Sequence, residues 1–263
     1  MFRSLSLAAL AVCAPLTAFA SPFAGANADI FVLGEVHDNP AHHVTQAEAI
    51  KDIAPRVVVY EMLSEDQAGR VSDDLLTTPE ALGERLEWDA SGWPDFAIYY
   101  PVFAAARGAV TRGAAVPRDV ARAALADGIV THFGADSTDF GLDVPLIGGQ
   151  LADRLNLQLE AHCGAMPTEL LPGMVELQRL RDATLAREAL DAFDEVGGPV
   201  VVITGNGHAR KDWGVPSYLA QVRPELRVVS LGQSEDGTLP EGGFDMIIDA
   251  PSVERDDPCA AFE

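Results

Sequence analysis

Ile30-Phe31-Val32-Leu33-Gly34-Glu35-Val36-His37-Asp38-Asn39-Pro40-Ala41-His42-His43 decides the fold. Its first four residues are apolar without a polar break, as in a strand buried on both faces of a parallel sheet. Asn39-Pro40 reads as a helix start, a capping side chain followed by a residue whose fixed φ suits the first turn. Glu35 and His37 therefore fall in a strand-to-helix loop at the carboxyl end of the strand. Open α/β sheets bind their ligands there.

Two further stretches repeat this design. Arg56-Val57-Val58-Val59-Tyr60 is a second buried strand and ends in an acid, Glu61. With the helix expected over residues 42–53, it completes a βαβ unit, so Glu35 and Glu61 project from one sheet edge. Pro199-Val200-Val201-Val202-Ile203-Thr204 is a third such strand, running into Gly205-Asn206-Gly207-His208-Ala209-Arg210. Helices are expected at 151–163 and 168–196, a strand at 113–117, a loop at 127–145, and closing strands at 227–231 and 244–249. The fold class is α/β, a central, mostly parallel sheet flanked by helices, with a helical insertion at about 62–112 and a tail at 251–263.

Composition narrows the partners. A chain of 263 residues, 48% hydrophobic, is globular and long enough for one large domain, here 21–263. The formal charge of −22, with Lys51 and Lys211 as the two lysines, leaves no cationic surface for nucleic acid or anionic lipid. Residues 1–20 read as a signal peptide: Arg3, an apolar run, then Ala18-Phe19-Ala20 as a small-x-small cleavage site. Export to the periplasm follows. Lipid anchoring at Cys13 ranks second, because Val12 is bulky for such a site. Cleavage leaves Cys163 and Cys259, an even number in an oxidising compartment, read first as a disulfide and otherwise as two buried thiols.

Glu35, His37, Glu61 and His208 come from three strand ends that should converge, with His42 and His43 on the adjoining helix. Carboxylate and imidazole together exchange protons near neutral pH, and they also ligate transition metals, with His37 and His208 as the candidate donors for a divalent ion. The Gly-Asn-Gly turn offers close backbone approach and N–H donors for an anion. Met174, Gln178, Arg181 and Asp182 form a mixed stripe at helical spacing, either lining a polar cavity or forming an ordinary solvated flank. Trp88, Trp93, Phe96, Tyr99, Tyr100 and Phe103 crowd into 16 residues, either as one amphipathic helix docked on the core or as the wall of a pocket for a flat apolar ligand.

Leu33-Gly34-Glu35-Val36-His37-Asp38 with His42-His43 and Gln46, Tyr60-Glu61-Met62, His162-Cys163, the Met174–Ala183 stripe, Gly205–Arg210 and Gly214-Val215-Pro216 resemble the ChaN-like haem-binding uptake proteins. These belong to the Tiki superfamily, together with erythromycin-esterase-like and TraB-like proteins. The resemblance runs from about residue 29 to 221. It implies an exported haem-binding protein of iron uptake, with haem in a cleft that can form between two subunits and with outer-membrane uptake machinery as a partner. Candidate haem contacts are His37, His42, His43, His208, Tyr99, Tyr100, Asn206, Arg181 and Asp182. Superfamily relatives instead hydrolyse their substrates, which would make Glu35, His37, Glu61 and His208 catalytic in an esterase- or peptidase-type reaction.

Overall fold

The computed structural model describes residues 23–260, apart from 24 and 258. The segment 1–20 expected as a signal peptide, with Cys13, lies outside the described residues. In chain order the elements are β1 (Ile30–Leu33), α1 (Pro40–Ile53), β2 (Val57–Tyr60), α2 (Glu65–Ala68), α3 (Pro79–Arg85), α4 (Phe96–Ala105), β3 (Val110–Gly113), α5 (Arg118–Asp127) and α6 (Ile129–Phe133). They continue with α7 (Gly148–Ala161), α8 (Leu171–Val196), β4 (Val200–Ile203), α9 (Asn206–Ala209), α10 (Val215–Val222), β5 (Val228–Glu235) and β6 (Met246–Ala250).

The strands form one sheet in the order β3-β2-β4-β1-β5-β6, parallel at every pairing. All four residues of β1, β2 and β4 are buried, which is why these segments read as unbroken Val, Ile and Leu. Alternate residues serve two cores. Phe31, Leu33, Val58, Val201 and Ile203 meet apolar residues of α1 and α4, among them Ile50 and Phe103. Ile30, Val32, Val57, Val59, Val200 and Val202 meet α5, α8 and α10. Each fully buried branched side chain contributes about 1.5–3 kcal/mol, so a charge at Val201 or Val202 would break the layer it faces.

Topology then fixes where a ligand can bind. The chain leaves β1 through α1 on one face and β4 through α10 on the other. The neighbouring strands β1 and β4 thus send their loops in opposite directions, and a crevice opens between them. This is the switch point at which doubly wound sheets bind ligands.

Three segments differ from expectation. The strand at 113–117 instead occupies Val110–Gly113, pairing with β2. It stops at Gly113 because the backbone there passes so close to Leu63 and Ser64 that a Cβ would stand 2.3 Å from the Ser64 carbonyl. Residues 127–145 contain α6 and a 3-10 turn at Ala135–Thr138, secured by Ile129, Phe133 and Phe140 in the core. The aromatic segment is a 3-10 turn at Trp88–Ala90 followed by α4, separated by Gly92 with φ 86°. A disulfide joins Cys163 to Cys259 with 5.4 Å between Cα atoms, as first expected.

Candidate functional site

Asn39 caps α1 through Ala41 N–H, with Pro40 in the first turn, so the β1 loop is short and pinned at both ends. Within it, His37 Nδ1 donates to Glu35 Oε1 at 2.8 Å, and the Tyr99 hydroxyl donates to the same oxygen at 3.0 Å. His43 Nδ1 lies 3.3 Å from Glu35 Oε2. Burial would raise the Glu35 pKa, but the imidazoles of His37 and His43 outweigh it and hold the carboxyl down at about 2. Burial likewise disfavours charge on His37, yet Glu35 and Glu61 together raise its pKa. With Nδ1 engaged, His37 Nε2 faces the crevice, beside Gly205. A Cβ on Gly205 would stand 2.8 Å from it, so glycine here makes room for the ring.

On the other side, His208 follows β4 on the one-turn α9. Its Nδ1 donates to Asp182 Oδ1 at 2.6 Å, and its Nε2 lies 3.5 Å from Glu61 Oε1. Burial would strip its proton, but Glu61 and Asp182 flank the ring and push the pKa up to about 9. Glu61 accepts from the Thr204 hydroxyl at 2.6 Å and the Gly205 N–H at 2.8 Å. Burial would raise its pKa, whereas the charges of His208 and His37 and these two donors lower it. Glu35, His37, Glu61, His208 and Asp182 are therefore one connected set, drawn from β1, β2, α8 and β4.

The other sequence candidates lie around this set. His42 is fully buried, accepting Val36 N–H at Nδ1 and reaching the Ser234 carbonyl with Nε2 at 3.3 Å. His43, equally buried, spends Nε2 on the His37 carbonyl. Both brace the loop from behind. The Asn206 amide cross-links to both the N–H and the carbonyl of Gln233 on β5. Of the glycine-rich turn, the Gly205, Asn206 and His208 N–H groups bond Glu61, Glu35 and Gly205. Tyr100 donates to the Leu76 carbonyl, and burial, with Glu35 adding to it, makes Tyr99 hard to ionise. Arg181 and Gln178 line the crevice mouth. Trp93 rests edge-on against His37, centroids 4.8 Å apart, while Trp88 and Phe103 are core.

The crevice has two lobes, of about 380 and 730 Å³, meeting at His37, Gln178 and His208. The smaller lobe has a wall that the sequence did not announce: Arg154, Leu157 and Gln158 of α7, with Trp213 from the loop before α10. A charged residue inside a helix ordinarily points to water, so nothing in α7 marked Arg154 as buried. Among the described residues, no group of three His, Cys, Asp or Glu side chains is arranged to hold a metal ion.

The fold and site thus define an α/β protein with an acid–histidine crevice at a parallel-sheet switch point. The family of haem-binding uptake proteins of the Tiki superfamily, ChaN, matches residues 24–219, and the chain belongs to it. The fold is similar to that of Campylobacter jejuni ChaN, a structure of cofacial haem binding. The TM-score is 0.62 at 19% identity, covering 84% of this chain and 86% of that one. A looser likeness, TM-score 0.43 at 14% identity over 80% of this chain and 71% of the other, links it to a variant of the erythromycin esterase EreC in its open conformation. No curated protein sequence matches.

Proposed function

We propose that this protein binds haem in the crevice between β1 and β4, as an exported component of haem uptake. One observation carries the reading: His37 holds a proton at Nδ1 against Glu35 and turns Nε2 into the cavity, the arrangement by which a carboxylate orients an imidazole as a metal donor. The two tyrosines spend their hydroxyls elsewhere, which leaves His37 as the donor for iron. Trp93 beside His37 supplies a flat apolar flank, and two unpartnered nitrogens of buried Arg154 suit the carboxylates that haem carries. When bound, haem supplies the iron to which such a nitrogen can attach. The residues here orient the imidazole through its Nδ1 proton and hold its Nε2 edge toward the cavity. The Cys163–Cys259 disulfide fits an oxidising destination. Titration with hemin should give a Soret shift that His37→Ala reduces at least tenfold in affinity and Glu61→Gln leaves nearly unchanged. No Soret change at micromolar hemin would end this reading. Size-exclusion chromatography with and without hemin checks for a dimer.

A second reading rests on the two carboxylate–imidazole pairs, Glu35–His37 and Asp182–His208, that face one another across Glu61. Such pairs transfer protons, with His37 as base and protonated His208 as acid in an ester or amide hydrolysis. Turnover of ester and peptide libraries, lost in His37→Ala, would support it. Absence of turnover together with a hemin Soret shift would remove it.

A further inference from the structure

We infer that Arg154 is an anchor for a carboxylate on the ligand of the crevice, a specificity device separate from the acid–histidine set; its location rests on the reading above. Arg154 is 7% exposed, on α7, and lines the lobe that ends at His37 and His208. Its Nε and Nη1 have no hydrogen-bond partner among the described residues. Around it lie the Trp213 ring, 5.1 Å from the guanidinium, the Tyr218 hydroxyl and the charge of Asp182. The chain has 40 acidic and 18 basic residues, and other arginines, including Arg112, Arg223, Arg227 and Arg255, pair with acids. Arg154 feels the charge of Asp182 but no carboxylate among the described residues hydrogen-bonds to it, an exception in a chain rich in anions.

Physical cost makes the exception informative. Burying an ionised group with unmet donors is expensive, and a purely structural position would gain from an apolar residue of the same size. Arginine, unlike lysine, stays charged, so it cannot escape by losing its proton. The donors are therefore satisfied by something that enters. The same lobe offers apolar contacts from Leu157, Ala161, Val175 and Trp213. A ligand with an aromatic or apolar body and a carboxylate at its inner end meets both requirements.

The test uses a matched pair of probes, pyrenebutyrate and its neutral analogue pyrenebutanol, with binding read from the fluorescence of each probe. The full chain should prefer the carboxylate by at least tenfold, and Arg154→Gln and Arg154→Met should each bring the two probes to within about twofold. A second arm compares hemin with hemin dimethyl ester. Equal binding of both probes by the unaltered protein, or a preference that survives both substitutions, overturns the inference. Absence of a hemin Soret shift with the probe preference intact would sink the haem reading and leave Arg154 standing. A Soret shift indifferent to esterification and to Arg154→Gln would do the reverse.

Discussion

Removing the Asp182 carboxylate, as in Asp182→Asn, tests the electrostatics of the crevice directly. His208 is largely buried between Asp182 at 2.6 Å and Glu61 at 3.5 Å, and its pKa is raised from the ordinary 6.5 to about 9. A raised folded-state pKa means that the proton stabilises the fold in full below about pH 6.5 and that this stability is lost as pH climbs through 9. At about 1.4 kcal/mol per tenfold change in proton affinity, the contribution near pH 6 is on the order of 3 kcal/mol. Asp182→Asn keeps the shape but leaves the imidazolium with Glu61 alone. The variant should lose about 2 kcal/mol relative to wild type at pH 6 and about half that or less at pH 9.5. Urea unfolding at the two pH values measures the gap, and nitrogen-15 NMR of the imidazole follows the titration itself. Wild-type titration of His208 below pH 7, or a gap that does not narrow with rising pH, would refute the electrostatic account.

Gly205→Ala should leave stability nearly intact, because the Cβ meets the free end of the His37 ring and not backbone, yet weaken hemin binding about tenfold by turning Nε2 away; thermal melts and a Soret titration separate the two effects. Tyr99→Phe removes one donor to a buried carboxylate and should cost about 1–3 kcal/mol in urea, with a downward change in hemin affinity as His37 loosens. Cys163→Ser should cost up to about 4–5 kcal/mol, the chain entropy released by opening a 96-residue loop. Unfolding with and without reductant should show the same loss in the parent protein and none in the variant. An unchanged midpoint on reduction would deny the bridge any role in stability.

The sheet and the convergence of Glu35, Glu61 and His208 were legible because parallel, doubly buried strands leave an unmistakable trace, runs such as Val57–Val59 and Val200–Ile203 bounded by polar residues. Less could be read from the consecutive histidines. His42 and His43 have the same composition and neighbourhood as His37, but their ring partners are Val36, His37 and Ser234, set by how the loop folds back on β5. Asn206 is similar, since its cross-link to Gln233 depends on β5 lying beside β1. The Val110–Gly113 strand carries an arginine and a threonine because it is an edge strand with one neighbour, so its pattern was faint. Arg154 was invisible, because only the packing of α7 against α8 reveals which side of that helix is covered.

The bridge at Cys163 sits two residues past the end of α7, the helix that presents Arg154, and its far end lies in the tail that Arg255 straps to Asp38 and Glu235. One sulfur–sulfur bond thus ties a wall of the ligand chamber to the rim of the sheet. Where thiols are kept reduced, that helix would lose this tether and be held by its packing against α8.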